Sequence, residues 1–143
     1  MGIADFLKKK KETQAADNKQ AGLNFLSDNK NKAGITATDS GLQFEILTEG
    51  SGLQPNAQSK VTCHYEGRLL SGKVFDSSIK RGQPATFPLN RVIPGWTEGL
   101  QHMKEGAKYR FFIPEHLAYG ASQVGTIPPC STLIFEVELL KVD

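Results

Sequence analysis

The stretch "TLIFEVELLKV" near the C-terminus constrains the fold most. Leu133, Phe135, Val137 and Leu139 fall on one side of it, and Glu136 and Glu138 on the other. That period of two is the signature of a strand, whose successive side chains point to opposite faces. One dry face and one wet face suit an antiparallel sheet. The same alternation recurs upstream. "GLQFEIL" places Leu42, Phe44 and Ile46 together, and "KVTCHYEGRLL" sets Val61, Cys63 and Tyr65 against Thr62, His64 and Glu66. "AKYRFFIP" aligns Tyr109, Phe111 and Ile113 before Pro114 ends the strand. Ser71-Gly72 turns the chain into "KVFDSS", a hairpin signal, and "EGSG" is a turn without phosphate-loop spacing. One helix interrupts the strands, with Trp96, Leu100 and Met103 at i, i+4 and i+7. No fixed-period repeat is present. One amphipathic helix on one antiparallel sheet, an α+β domain, is the economical architecture.

The first forty residues differ in composition. Up to about Ala33 they are rich in Lys, Asn, Gln, Ala and Asp, with no β-branched run. Ile3, Phe6 and Leu7 share a helical face, as do Leu23 and Leu26, which predicts a short amphipathic helix stopped by Gly34. Residues 1–40 are therefore expected to be an arm and linker, and 41–143 a single domain. The chain has 143 residues, enough for one core, and no run approaches the roughly 18 apolar residues of a membrane span. "MGIADFLKKKKETQ" is charged where a signal peptide needs an apolar segment, so a cytoplasmic location is expected. Net charge is only +2. Lys8 to Lys11 lack interleaved arginines and aromatics, so they read as a solvated helix face, with no nucleic-acid or membrane partner; docking on an acidic partner or membrane surface is the weaker reading. Cys63 and Cys130 are far apart, without metal-ligand spacing, and suit a reducing compartment.

Familiar catalytic motifs and metal-ligand patterns do not occur, and His64, His102 and His116 are dispersed. Aromatic and aliphatic residues collect instead beside turns. Tyr119 sits in the loop-like "LAYGAS", and Val92-Ile93 precede Pro94-Gly95 at a helix entrance. Such residues fill a core or line a cleft, and the spacing alone does not choose. Asp76 in "FDSS" has two readings of equal weight: it shapes a turn, or it faces a cleft.

"VTCHYEGRLLSGKVFDSS", "VIPGWTEGLQHMKEGAKYRFFIPEHLAYG" and "IPPCSTLIFEVELLKV" resemble, in order and spacing, the FKBP family of peptidyl-prolyl isomerases over about Gly41 to Val142. "GQPATFPLNRVIPGWTEGL" and "FLSDNKNKAG" are most similar to its bacterial macrophage infectivity potentiator type. The resemblance implies a half-open antiparallel sheet of about five strands wrapped around one short α-helix, preceded here by the N-terminal helical arm. It implies a pocket in which Tyr65, Phe75, Asp76, Tyr119 and Phe135 act on a prolyl bond. Val92, Ile93, Trp96 and Ile127 would bind substrate, with Trp96 as floor and Phe87 and Arg81 near the rim. Xaa-Pro segments and rapamycin-type macrolides are the implied partners, and no cofactor or metal is implied. Ala85 stands where many relatives carry an aromatic, which predicts a more open wall. The loop from Gly120 to Pro128 is short, so family contacts there do not transfer, and a chaperone-flap insertion is not expected. With barely forty residues before the domain, a monomer is expected. The rival reading is a module that captures proline-containing loops or macrolides without useful turnover.

Overall fold

Residues 2–143 are described by a computed structural model, in which the alternating segments become one sheet of seven strands. An N-terminal helix, α1 (Ile3–Asn29), leads into β1 (Ile35–Ala37), β2 (Gln43–Thr48), β3 (Lys60–Leu69) and β4 (Val74–Ser77). A single turn, α2 (Ser78–Arg81), separates β4 from β5 (Ala85–Pro88). Then follow α3 (Pro94–Leu100), β6 (Lys108–Ile113) and β7 (Leu133–Val142). Every pairing is antiparallel, in the order β1-β2-β6-β7-β3-β4, and β5 also pairs with β3. The count exceeds the expected five because β1 is a three-residue edge and the far edge is split. There β5 covers Lys60 to Cys63, and β4 covers Glu66 to Arg68.

The strands' apolar positions form the core as their period requires. Leu42, Phe44, Val61, Cys63, Phe111, Ile113, Leu133, Phe135, Val137 and Leu139 are all buried on the face that carries α3. Burial of such side chains is the main favourable term in folding, about 25 cal/mol per Å². Two glycines let α3 lie flush on β6. A Cβ at Gly95 would stand 2.6 Å from Ile113, and one at Gly99 2.6 Å from Phe111. Two expectations fail here. Ile46 is 42% exposed, because β2 loses register with β6 between Ile46 and Thr48 at the sheet's end. Met103 is buried but lies past the end of α3, carried into the core by the turn after Leu100.

The arm is one continuous helix of 27 residues, longer than the short helix expected. It ends at Asn29, five residues before Gly34, whose left-handed φ of 85° serves the turn that follows and does not stop the helix as expected. Its docked face is not the apolar one. Leu23 is 55% exposed, whereas Gly22, Phe25 and Asn29 lie against the sheet. Phe25 packs on Phe112 with ring centroids 5.8 Å apart, and Asn29 Nδ2 donates to Gln43 Oε1 at 2.9 Å. Asn18 Nδ2 donates to the Pro129 carbonyl at 2.9 Å. No helix among the described residues is long and apolar enough to cross a membrane.

Candidate functional site

The split edge builds one corner of a cleft. β4 delivers Phe75 and Asp76 beside Tyr65 of β3, and the chain then leaves the sheet at two serines. Ser77 Oγ accepts the Lys80 N–H at 3.1 Å and caps α2, which Gly82 closes in the left-handed region at φ 74°. The buried Ser78 Oγ accepts the Tyr65 N–H at 2.7 Å and donates to the Tyr65 carbonyl at 3.2 Å. A side chain thus replaces the ladder bonds that the departing strand no longer makes. Tyr65 and Asp76 are fixed in consequence. The Tyr65 hydroxyl donates to Asp76 Oδ2 at 2.7 Å, Arg81 Nη2 donates to the Tyr65 oxygen at 3.0 Å, and Arg81 Nη1 bonds Asp76 Oδ1.

Charge in this corner is set by those contacts. Burial alone would raise the Asp76 carboxyl, but the Tyr65 and Arg81 hydrogen bonds and the Arg81 charge outweigh it and hold the group below the usual carboxylate range. Burial, and then the bond to Asp76, push the Tyr65 phenol up. Burial and the Asp76 charge do the same for Tyr119. At neutral pH the corner offers one carboxylate, one guanidinium and two neutral phenols.

The floor is aromatic. Trp96 of α3 is met edge-on by Tyr65 at 5.1 Å and by Phe135 at 5.3 Å, and Phe87 tilts against it at 5.2 Å. Phe75 stands edge-to-face on Phe135 at 5.4 Å. Such crossed rings lock one another in place. The indole N–H is buried and has no hydrogen-bond partner. Above lies an open cleft of about 660 Å³, the size of a small-molecule or short-peptide site.

The structure brings Tyr65, Phe75, Asp76, Phe87, Val92, Ile93, Trp96, Tyr119, Ile127 and Phe135 around this one cleft. Trp96 is therefore core and floor at once, and Asp76, the penultimate residue of β4, faces the opening. Arg81 is off the wall, exposed, and reaches the cleft only through Tyr65 and Asp76. Ala85 pairs with Cys63 and does not line the cleft. Four lining residues were not foreseen: Arg91, Val124, Gly125 and Thr126. The last three belong to the short loop. Val124 and Ile127 exchange main-chain bonds of 3.1 and 2.9 Å across a turn with Gly125 at φ 55°. The signal was the glycine in "VGTIPP", where a tight turn folds the loop back over the opening.

The three histidines make contacts within the fold. His64 Nδ1 meets Ser78 Oγ at 2.9 Å, His102 lies against the Phe44 ring, and His116 Nε2 bonds the Ser40 carbonyl at 2.7 Å. No cluster of three or more His, Cys, Asp or Glu residues among the described residues could hold a metal ion. Burial pushes the Cys63 thiol up to about 12, and the neighbouring Glu115 carboxylate, then burial, raise that of Cys130, so neither is a ready nucleophile.

Residues 52–140 match the family described as FKBP-type peptidyl-prolyl cis-trans isomerase, and residues 2–46 the domain amino-terminal to it. The chain is 47% identical over 141 residues to "FKBP-type peptidyl-prolyl cis-trans isomerase FkpA" of Aeromonas hydrophila, covering 99% of this chain and 53% of that one. It is 48% identical over 140 residues to "Outer membrane protein MIP" of Legionella longbeachae, covering 97% and 58%. The crystal structure of FkpA from Escherichia coli superposes with a TM-score of 0.92 at 43% identity, covering 95% of this chain and 64% of that one. The chain spans about half the length of the curated relatives it matches.

Proposed function

We propose, for a chain that belongs to the FKBP-type peptidyl-prolyl cis-trans isomerase family, that it accelerates rotation about Xaa-Pro bonds in unfolded or looped polypeptides. The observation that carries this reading is the dry aromatic floor of Trp96 under an open cleft with one polar corner. The isomerase unit is residues 41–143, with 1–40 as arm and linker.

The barrier to rotation is about 18–20 kcal/mol, because amide resonance is lost as the C–N bond twists. Uncatalysed exchange takes on the order of 10–100 s. No covalent bond changes. An apolar cleft removes water from the prolyl carbonyl, and water stabilises the charge-separated planar amide more than the twisted one. A wall shaped to the twisted form lowers the barrier by binding it preferentially. A millionfold acceleration requires about 8 kcal/mol of that preference. In this reading the substrate proline rests on Trp96, and Tyr119 and the Ile93 backbone hold the flanking residues. Phe75 and Phe135 close the apolar wall. Asp76 and Tyr65 orient the chain without transferring a proton, and Arg81 fixes both of them from outside. Val92, Phe87 and Ile127 complete the binding surface.

Rapamycin-type macrolides are the inhibitors expected in the same cleft. The rival reading is capture of proline loops without useful turnover; the complete aromatic lining favours the enzyme. An isomerisation assay with and without rapamycin separates the two, since binding without acceleration supports capture. Asp76→Leu, Tyr119→Ala and Phe135→Ala are each expected to lower kcat/KM for a proline peptide about tenfold or more while the domain stays folded. Wild-type kcat/KM in all three folded variants would reject the site.

The cytoplasmic location expected above is not carried into this reading. The Legionella longbeachae relative bears the name of an outer membrane protein, and burial of Cys63 keeps free thiols from reporting the redox compartment. A monomer in solution remains part of the proposal, and light scattering checks it.

A further inference from the structure

We propose that the turn joining arm to sheet is a latch that positions the cleft floor, and that Glu98 is the positioning residue it grips. α3 cannot hold itself. It has seven residues, two of them glycine, opens on a proline and has no side-chain N-cap. Helices so short are unstable without tertiary anchors. On its sheet side the anchor is the close approach of Gly95 and Gly99 to β6. On its other side both carboxylate oxygens of Glu98 are taken: Thr38 Oγ1 donates to Oε2 at 2.7 Å, and Ser40 Oγ to Oε1 at 2.5 Å. Bonds to a carboxylate are roughly twice as strong as neutral ones.

The donors sit in a closed turn. The Thr38 N–H bonds the Leu42 carbonyl at 2.8 Å, and the Gly41 N–H bonds the Thr38 carbonyl at 3.0 Å. The same turn reaches a second wall of the cleft, because the Ser40 carbonyl accepts from His116 Nε2 at 2.7 Å, three residues before Tyr119. One turn outside the cleft therefore grips both the helix that carries Trp96 and the loop that carries Tyr119. Trp96 and Glu98, two residues apart, project from nearly opposite sides of α3. A displacement at Glu98 moves the indole with the rigid helix. Thr38 and Ser40, which touch nothing in the cleft, thus help to set how the floor meets a ligand.

The activity and rapamycin measurements here rest on the isomerase reading, whereas emission and quenching do not. Trp96 is the sole tryptophan, so its fluorescence reports the floor directly. In the full chain, Thr38→Val with Ser40→Ala is expected to shift Trp96 emission, increase acrylamide quenching, and weaken rapamycin binding and kcat/KM about fivefold. Cooperative urea unfolding should persist. Thr38→Ser alone, which keeps its donor, is expected to leave all four at wild-type values. Wild-type emission, quenching and rapamycin affinity in the folded double variant overturn the latch. If the double variant does not fold, Glu98→Gln replaces it; a smaller shift in the same direction supports the latch, and none overturns it. A wild-type protein that neither isomerises nor binds rapamycin defeats the functional reading, while the emission and quenching measurements still decide the latch.

Discussion

The two faces of the sheet obey opposite rules on the same strands. Toward α3 the side chains are apolar, close-packed and arranged around Trp96. Away from it runs a row of charges in register: Glu45, Arg110, Glu136 and Glu66 on four neighbouring strands. Arg110 answers two of the carboxylates, at 2.6 Å from Glu136 and 3.5 Å from Glu45. Glu66 faces Glu136 directly, a like-charge neighbour tolerated because Arg68 lies 2.5 Å from Glu66. The contrast teaches where stability and function reside. One face supplies the hydrophobic energy and the cleft, and the other supplies solubility and a seat for the arm.

The sharpest test of that contrast sets neighbouring positions against each other. Phe111→Ala removes a fully buried ring from the inner face and is expected to cost about 3–5 kcal/mol in urea unfolding. A cost below about 1 kcal/mol would mean the inner face is not the core described. The next effect comes from alkaline pH. The folded Cys63 thiol, pushed up to about 12, holds its proton at pH values where the unfolded thiol, with an ordinary value of 9.0, has lost it. Its contribution is complete below pH 9 and is lost as pH rises toward 12, about 4 kcal/mol in all. Cys63→Ala should flatten the stability profile in that window, and an unchanged slope would contradict the burial.

Smaller effects belong to the outer face. A Cβ at Gly22 would stand 2.2 Å from Thr132 Oγ1, so Gly22→Val should undock the arm at about 1–2 kcal/mol. Hydrogen exchange is expected to rise in α1 and to stay unchanged in β3 and β7. Equal acceleration in the strands would show that arm and sheet unfold together. Last, Glu66→Gln should change stability by no more than about 0.5 kcal/mol, because a solvated ion pair is lost along with the like-charge contact to Glu136.

Much of this architecture was legible because period two is a strong signal. The inward sets on β3, β6 and β7 and the ring of residues around Trp96 follow from it and from the motif resemblance. What was hidden follows other physics. The arm docks through Asn18, Gly22, Phe25 and Asn29, a face of amides, one ring and one missing side chain, and no hydrophobicity pattern marks such a seat. Val124 to Thr126 reach the cleft through loop geometry, which depends on one glycine's backbone angle. Met103 looked helical by spacing, but three residues past Leu100 the chain had already turned. The break between β4 and β5 depends on serine side chains substituting for ladder bonds, and alternation cannot show that.

That break has a consequence of its own. A sheet with open margins can recruit any extended stranger that drifts alongside, the first step toward cross-molecular ladders. Here one margin is the three-residue β1, and the other is cut into two pieces of four residues each. Neither offers a run long enough to template a passing chain. If the hollow turns over prolyl bonds as proposed, it can grip a half-folded polypeptide without the sheet becoming a seed for aggregation.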